Sequence, residues 1–178
     1  MLIGLETERL RLYPPNIADL EARLAMDRDP DVMRFLLRPI PEDVDWHRAD
    51  VREKILAPEN PASAFWHIEE KGAPGFIGCC GLFPLEDSGM IELGYRFVRR
   101  VWGRGLATDA AAAALDHGFR HLKLAQIVAV TAPRNLASQR VLQKIGLSSA
   151  GVFCHYGQDV AVFVCLRADY FAAQPGVT

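Results

Sequence analysis

The stretch that most constrains this chain is residues 90–108. Residues 90–98 read as a strand, Gly103 and Gly105 punctuate a turn, and Leu106 opens a helix through Leu122 with unbroken alanine at 110–114. A strand that turns through glycine into a helix aims several unpaired backbone N–H groups, and the positive end of the helix dipole, at one point. Gly103 and Gly105 let a ligand approach the backbone closely, while Arg100 and Arg104 add charge. Such a junction is an anion cradle, and a pyrophosphate is its natural guest. An ordinary glycine turn before a helix is the alternative that this spacing alone leaves open.

The elements around the junction set the fold class. Arg9, Leu10, Arg11, Leu12 and Tyr13 alternate ahead of Pro14-Pro15, a strand pattern. Asn16 caps a helix through Met26, with Leu20 and Leu24 on one face. Asp29-Pro30 starts a short helix carrying Val32, Met33 and Leu36. After Pro39 and Pro41, residues 42–56 form a third helix with Val44, Val51 and Ile55 as its stripe. Strands at 64–69, 75–83 and 90–98 are joined by connections too short for crossovers, so they form an antiparallel meander. A strand at 126–131, a helix at 136–145 stopped by Gly146, and strands near 151–153 and 160–166 complete the chain. A meander followed by strand, helix, strand, helix and strand implies a mixed α/β sheet with helices on its faces.

Composition narrows the function classes. A length of 178 residues corresponds to one domain, residues 1–178. Twenty Lys and Arg against 22 Asp and Glu leave a net charge of −2, which argues against a nucleic-acid coat or an anionic-membrane binder. No uncharged apolar run reaches the roughly 18–20 residues that span a bilayer. The opening MLIGLETERLRL lacks the basic start of a secretion signal. The cysteines at 79, 80, 154 and 165 lack zinc spacing, and neighbouring Cys79 and Cys80 are awkward disulfide partners. The expectation is a reduced, cytoplasmic protein with neither nucleic acid nor membrane as partner.

The junction has no Lys-Ser or Lys-Thr after its glycines, so it is not a Walker loop. It also lacks the third glycine and the distal acidic residue of a dinucleotide fingerprint. Arg100-Val-Trp-Gly103-Arg-Gly105 instead resembles the Gln/Arg-x-x-Gly-x-Gly/Ala pyrophosphate loop of the Gcn5-related N-acetyltransferases (GNAT), which bind acetyl-coenzyme A. Thr7-Glu8-Arg9-Leu10-Arg11-Leu12 resembles the opening strand of the branch that acetylates ribosomal-protein N-termini. Asp29-Pro-Asp-Val-Met-Arg-Phe35 is similar to its second helix, and Phe76-Ile-Gly-Cys-Cys-Gly-Leu82 to its third strand. Asn135-Leu-Ala-Ser138-Gln-Arg-Val-Leu-Gln-Lys144-Ile-Gly146 resembles its second signature.

The resemblance implies a mainly antiparallel mixed sheet with two splayed parallel strands, 90–98 and 126–131, and the pantetheine arm of acetyl-CoA in the gap. It implies that backbone groups of Phe97 and Val98 pair with that arm. N–H groups of Gly103, Arg104, Gly105, Leu106, Ala107 and Thr108 would hold the pyrophosphate, with Arg100 beside them. Asn135 takes the position that hydrogen-bonds the pantetheine, and Ser138 lies near the sulfur. Arg140 and Lys144, four apart on one helical face, reach the 3′-phosphate or face solvent.

The implied reaction moves acetyl directly from acetyl-CoA to a primary amine, either a protein N-terminus or a small molecule. An α-amino group, with a pKa of about 7.7–8.0, needs only a weak base. Glu92, on the central strand, is the candidate base; a structural strand glutamate is the competing reading. His155 and Asp159 are weaker alternatives. Many relatives carry a Tyr seven residues after the Asn as general acid, but here that position is Leu142, which leaves Ser138 as the nearest substitute. That departure gives some weight to a non-catalytic acyl-CoA sensor of the same fold. No cysteine suggests an acetyl-enzyme. His117 and His121 are spaced as a ligand pair but lack a third partner, so no metal is expected. Trp46 is a packing residue or a wall of the acceptor pocket. The acceptor is open: acidic residues between 21 and 50 are interrupted by Arg23, Arg28, Arg34, Arg38 and Arg48. Assembly is open as well, with a homodimer as the partner to consider.

Overall fold

The computed structural model describes residues 2–37, 42–57 and 64–173. Arg38, Pro39 and Pro41 lie outside the described residues. Eight strands form one sheet in the order β1-β2-β3-β4-β5-β6-β8-β7. They are β1 (Leu5–Glu6), β2 (Leu10–Tyr13), β3 (Ala64–Glu70), β4 (Ala73–Pro84), β5 (Ile91–Phe97), β6 (Gln126–Thr131), β7 (Ser148–His155) and β8 (Gln158–Leu166). The helices are α1 (Leu20–Asp27), α2 (Pro30–Met33), α3 (Val44–Leu56), α4 (Leu106–Arg120), α5 (Leu136–Lys144) and α6 (Arg167–Ala172).

All neighbouring strands pair antiparallel except β5 and β6. Those two run parallel and share one register point, Glu92 opposite Val128. β5 stays paired to β4 through Phe97, and β6 stays paired to β8 through Thr131. The two halves of the sheet therefore touch at Glu92 and diverge beyond it. The mixed sheet with a splayed parallel pair is the one the GNAT resemblance implies.

Side-chain alternation sorts the faces. Trp66, Leu82, Leu93, Leu106, Ala110, Ala114, Phe119 and Phe163 belong to the main core, which α4 covers. Met26, Phe76 and Cys79 form a smaller cluster under α1 and α2. A Cβ on Gly118 would stand 2.5 Å from Ile127 Cδ1 and 2.9 Å from Leu82 Cδ1, so the last turn of α4 lies tightly on the sheet.

Several expectations shift at the edges. The first helix begins as a 3-10 turn, Ile17–Asp19, whose Ala18 N–H is capped by the Asn16 side chain at 2.9 Å. The second helix ends at Met33, which leaves Leu36 exposed. In the third, Asp43 caps Asp45 and Trp46, which makes Val44 the first helical residue, 52% exposed at the helix end. The stripe against α1 is instead His47, Val51 and Ile55. Trp46, 56% exposed, is not a packing residue. The helix from Leu106 ends at Arg120, and Gly146 takes the positive φ (96°) of a helix stop.

Candidate active site

The glycine junction builds the first part of the site. Gly103 and Gly105 adopt φ of 73° and 79°, and Gly105 is the N-cap of α4. Nothing lies within 4 Å of a Cβ placed on Gly103, so the approach is open there. The N–H groups of the first turn, Leu106 and Ala107 among them, have no partner within the helix. Thr108 N–H is already tied to Gly105 O at 3.1 Å. Arg9 flanks the cradle from the start of β2: it donates to the Arg104 carbonyl at 2.7 Å and to Asp109 at 2.7 Å. Arg104 turns its guanidinium to Glu70, with Nη1 3.0 Å from Oε2. Arg100 donates to the Phe76 carbonyl at 3.2 Å. Open N–H groups, left-handed glycines and three nearby arginines fit a pyrophosphate. Sequence reasoning missed Arg9, because nothing in its strand pattern signals a loop 95 residues away.

The gap between β5 and β6 is the second part. Val98 N–H donates to Ile77 O of β4 at 2.9 Å, so Val98 faces the paired side. The two-residue alternation turns the backbone groups of Tyr95 and Phe97 toward the gap. Phe97 C=O already accepts from Trp102 Nε1 at 2.8 Å and keeps a second lone pair. Across the gap, Asn135 caps α5, its Oδ1 accepting from Ser138 N–H at 3.2 Å. Ser138 Oγ lies 3.0 Å from the Tyr95 hydroxyl, which also donates to Ser138 C=O at 3.2 Å. Burial pushes the Tyr95 phenol up, with Ser138 pulling the other way. Leu142 is buried in the core, while Arg140 and Lys144 are exposed. Sequence reasoning passed over Tyr95; its place two residues before Phe97 was the available signal.

The opposite face of β5 is the third part. Leu93 and Tyr95 pack toward α4, so Glu92, Gly94 and Arg96 point to the α1–α3 side. Glu92 is 6% exposed, and its carboxylate accepts from the Tyr156 hydroxyl. Tyr156 sits at the tip of the β7–β8 hairpin, next to His155. Glu86 ties that tip down, accepting from His155 Nδ1 at 2.8 Å and Tyr156 N–H at 2.9 Å. His155 is thus engaged with Glu86, and Asp159 is exposed on the ladder. Further along the face, buried Asp27 pairs with Arg96 (3.1 Å) and Arg23 (3.2 Å), which ties α1 to β5, and His47 of α3 approaches the same carboxylate at 3.3 Å.

Residues 9–148 match the acetyltransferase (GNAT) domain. The chain belongs to the GNAT acetyltransferase family. It is therefore an acetyl-CoA-dependent N-acetyltransferase, and membership of an enzyme family favours catalysis over a sensor. It is similar to the protein YkkB of Bacillus subtilis, 32% identical over 89% of this chain and 93% of that one. It is also similar to the N-acetyltransferase p20 of Bacillus licheniformis, 30% identical over 93% and 97%. The solved GNAT acetyltransferase of Bacillus anthracis superposes with a TM-score of 0.79 at 26% identity, covering 93% of this chain and 99% of that one.

Among the described residues, no helix of this GNAT chain is long and apolar enough to cross a membrane, and no group of three His, Cys, Asp or Glu is placed to hold a metal. All four cysteines are free, and burial pushes the Cys80 thiol up, away from the reactive thiolate.

Proposed function

We propose that this GNAT enzyme transfers acetyl directly to a primary amine, a protein N-terminal amine or a small-molecule amine, with Glu92 as the base and Ser138 beside the leaving sulfur. The observation that carries this reading is the position of Glu92. It is a buried carboxylate at the one point where β5 meets β6, facing away from the α4 side that holds the pyrophosphate cradle. A base there addresses an amine arriving from the α1–α3 side, while the cofactor occupies the gap from the other.

Bound acetyl-CoA supplies the acetyl thioester; this chain supplies the rest. The N–H groups of residues 103–107, with Arg100 and Arg9 beside them, hold the pyrophosphate. Backbone groups of Phe97 and, on this geometry, Tyr95 line the pantetheine path, and Asn135 offers its side-chain amide from the far wall. Glu92 accepts the proton that the amine loses as its nitrogen bonds to the acetyl carbon. The Tyr156 hydrogen bond keeps the carboxylate aimed. A backbone N–H of the splayed part of β5 meets the developing oxyanion.

A thiol-release assay over a panel of amines tests this reading: N-terminal peptides, polyamines, aminoglycosides and small amino compounds. Release above the water background with a primary amine is the expected outcome. Acetyl-CoA binding with no release for any of them returns the chain to the sensor reading.

A further inference from the structure

We propose that Tyr95 is a positioning residue for the departing sulfur: its phenol holds the Ser138 hydroxyl so that the Ser138 proton points into the gap. The inference rests on the reading above, in which Ser138 lies beside that sulfur. Three observations support it. The Tyr95 hydroxyl touches Ser138 twice, at Oγ (3.0 Å) and at the carbonyl (3.2 Å), which restricts the serine to one orientation. The contact spans the diverging part of the sheet, from β5 to the helix that follows β6, where the two strands share no register. Leu142, the residue one helical turn beyond Ser138 on α5, is buried and has no proton to donate, so Ser138 is the hydroxyl that this stretch of helix offers.

Proton placement gives the pair its direction. Two hydroxyls and one carbonyl share two protons. When Tyr95 donates to the Ser138 carbonyl, the serine proton falls back on the phenol oxygen. When Tyr95 donates to Ser138 Oγ, the serine proton is free to point at sulfur. Negative charge growing on sulfur selects the second arrangement. No proton is transferred by either residue: a free thiol titrates near about 8.5, well below a phenol or an alcohol. The carbon–sulfur electron pair goes to sulfur, the amine proton goes to Glu92, and the thiolate leaves solvated by the Ser138 hydrogen bond. Burial of the Tyr95 phenol keeps it protonated throughout.

The test titrates the thiol of bound coenzyme A by its ultraviolet absorbance, which needs no acceptor. In the wild type the bound thiolate is expected at lower pH than in Ser138→Ala and in Tyr95→Phe, by about one pH unit. Tyr95→Phe added to Ser138→Ala should shift it no further, because the phenol acts only through the serine. Coenzyme A affinity at pH 6, where the thiol is neutral, should change less than about twofold in each single variant. An unshifted titration in Tyr95→Phe, or an additional shift in the double variant, overturns the proposal. Loss of affinity at pH 6 in Tyr95→Phe also overturns it, since the phenol would then be shaping the pocket. A Ser138→Ala protein that titrates as the wild type removes the Ser138 reading beneath it. A wild type that binds no coenzyme A removes the cofactor reading itself.

Discussion

Tyr156 donates its phenolic proton to Glu92, 64 residues away, from a backbone conformation that tyrosine rarely adopts. Its φ is 54° and that of Gly157 is 71°, the two left-handed residues of a tight hairpin turn between His155 and Gln158. A non-glycine residue in that region costs about 1–3 kcal/mol. Glu86, itself at φ 47°, offsets the cost by accepting from the Tyr156 N–H and from His155. The strain is kept where it aims a hydroxyl at the candidate base.

Glu92→Gln is expected to keep acetyl-CoA affinity and to lower the neutral-pH rate by about 10²–10⁴-fold. The loss should shrink at high pH, where solvent deprotonates the amine unaided. Tyr156→Phe should do less, and differently. A carboxylate that loses a hydrogen-bond donor holds its proton more tightly, so the acid limb of the rate profile should move to higher pH. Rate profiles of the three proteins check both outcomes; a wild-type profile for Glu92→Gln moves the base elsewhere.

At the cradle, Gly105→Glu should abolish acetyl-CoA binding, since the side chain and its charge enter the phosphate site. Its φ of 79° and the Arg9 Nη2 atom 3.2 Å from a Cβ mean that any side chain there also carries backbone strain. Gly105→Ala separates the two effects: it should lose about 1–3 kcal/mol of stability and retain most of the affinity. Calorimetry and thermal melts on both variants check this, and unchanged affinity in Gly105→Glu removes the cradle assignment.

The contrast between these two sites explains what was legible in the sequence. Strand and helix spans followed from local pattern, because Ala110–Ala114 and the alternation of residues 9–13 state their own periodicity. The glycine junction was equally local. Arg9 at the cradle, Tyr95 on Ser138 and Tyr156 on Glu92 were not legible, since each contact joins elements 43 to 95 residues apart. Val44 misled because it is the first residue of α3: it shares the face of Val51, seven residues on, but lies at the helix end, where that face is exposed.

Long-range pairing also changes the expected electrostatics. Arg104 was read as a phosphate ligand, yet its guanidinium is matched to Glu70 on β3. The polyanionic cofactor should bind more weakly as salt rises, with Arg100 as the leading charge, since Arg9 is itself paired with Asp109. Glu70→Gln frees Arg104 and removes a nearby negative charge, so affinity at low salt should increase. Arg104→Gln alone should change affinity less than Arg100→Gln. Titrations of the three variants at low and high salt check the order; affinity flat with salt assigns the site to backbone N–H groups alone.

The last expectation concerns stability against pH. His67 is fully buried with Nδ1 2.9 Å from Asp19, and its Nε2 finds no partner among the described residues. Burial pushes its pKa below the ordinary histidine value, and Asp19 only partly restores it. His117, also buried, is pushed down by burial and by neighbouring His121. Both therefore bind a proton more weakly in the folded chain than in the unfolded one. Above about pH 6.5 both are neutral in either state, and the stability is fully present. As pH falls through that value toward the lowered folded ones, the unfolded chain takes up protons first. Stability then declines by up to about 1.4 kcal/mol per pH unit for each histidine. Thermal melts of the wild type should fall between pH 7 and pH 5, and the fall should be shallower in a His67→Gln, His117→Gln double variant. Equal slopes in the two proteins would mean that other groups, the carboxylates foremost, govern the acid sensitivity.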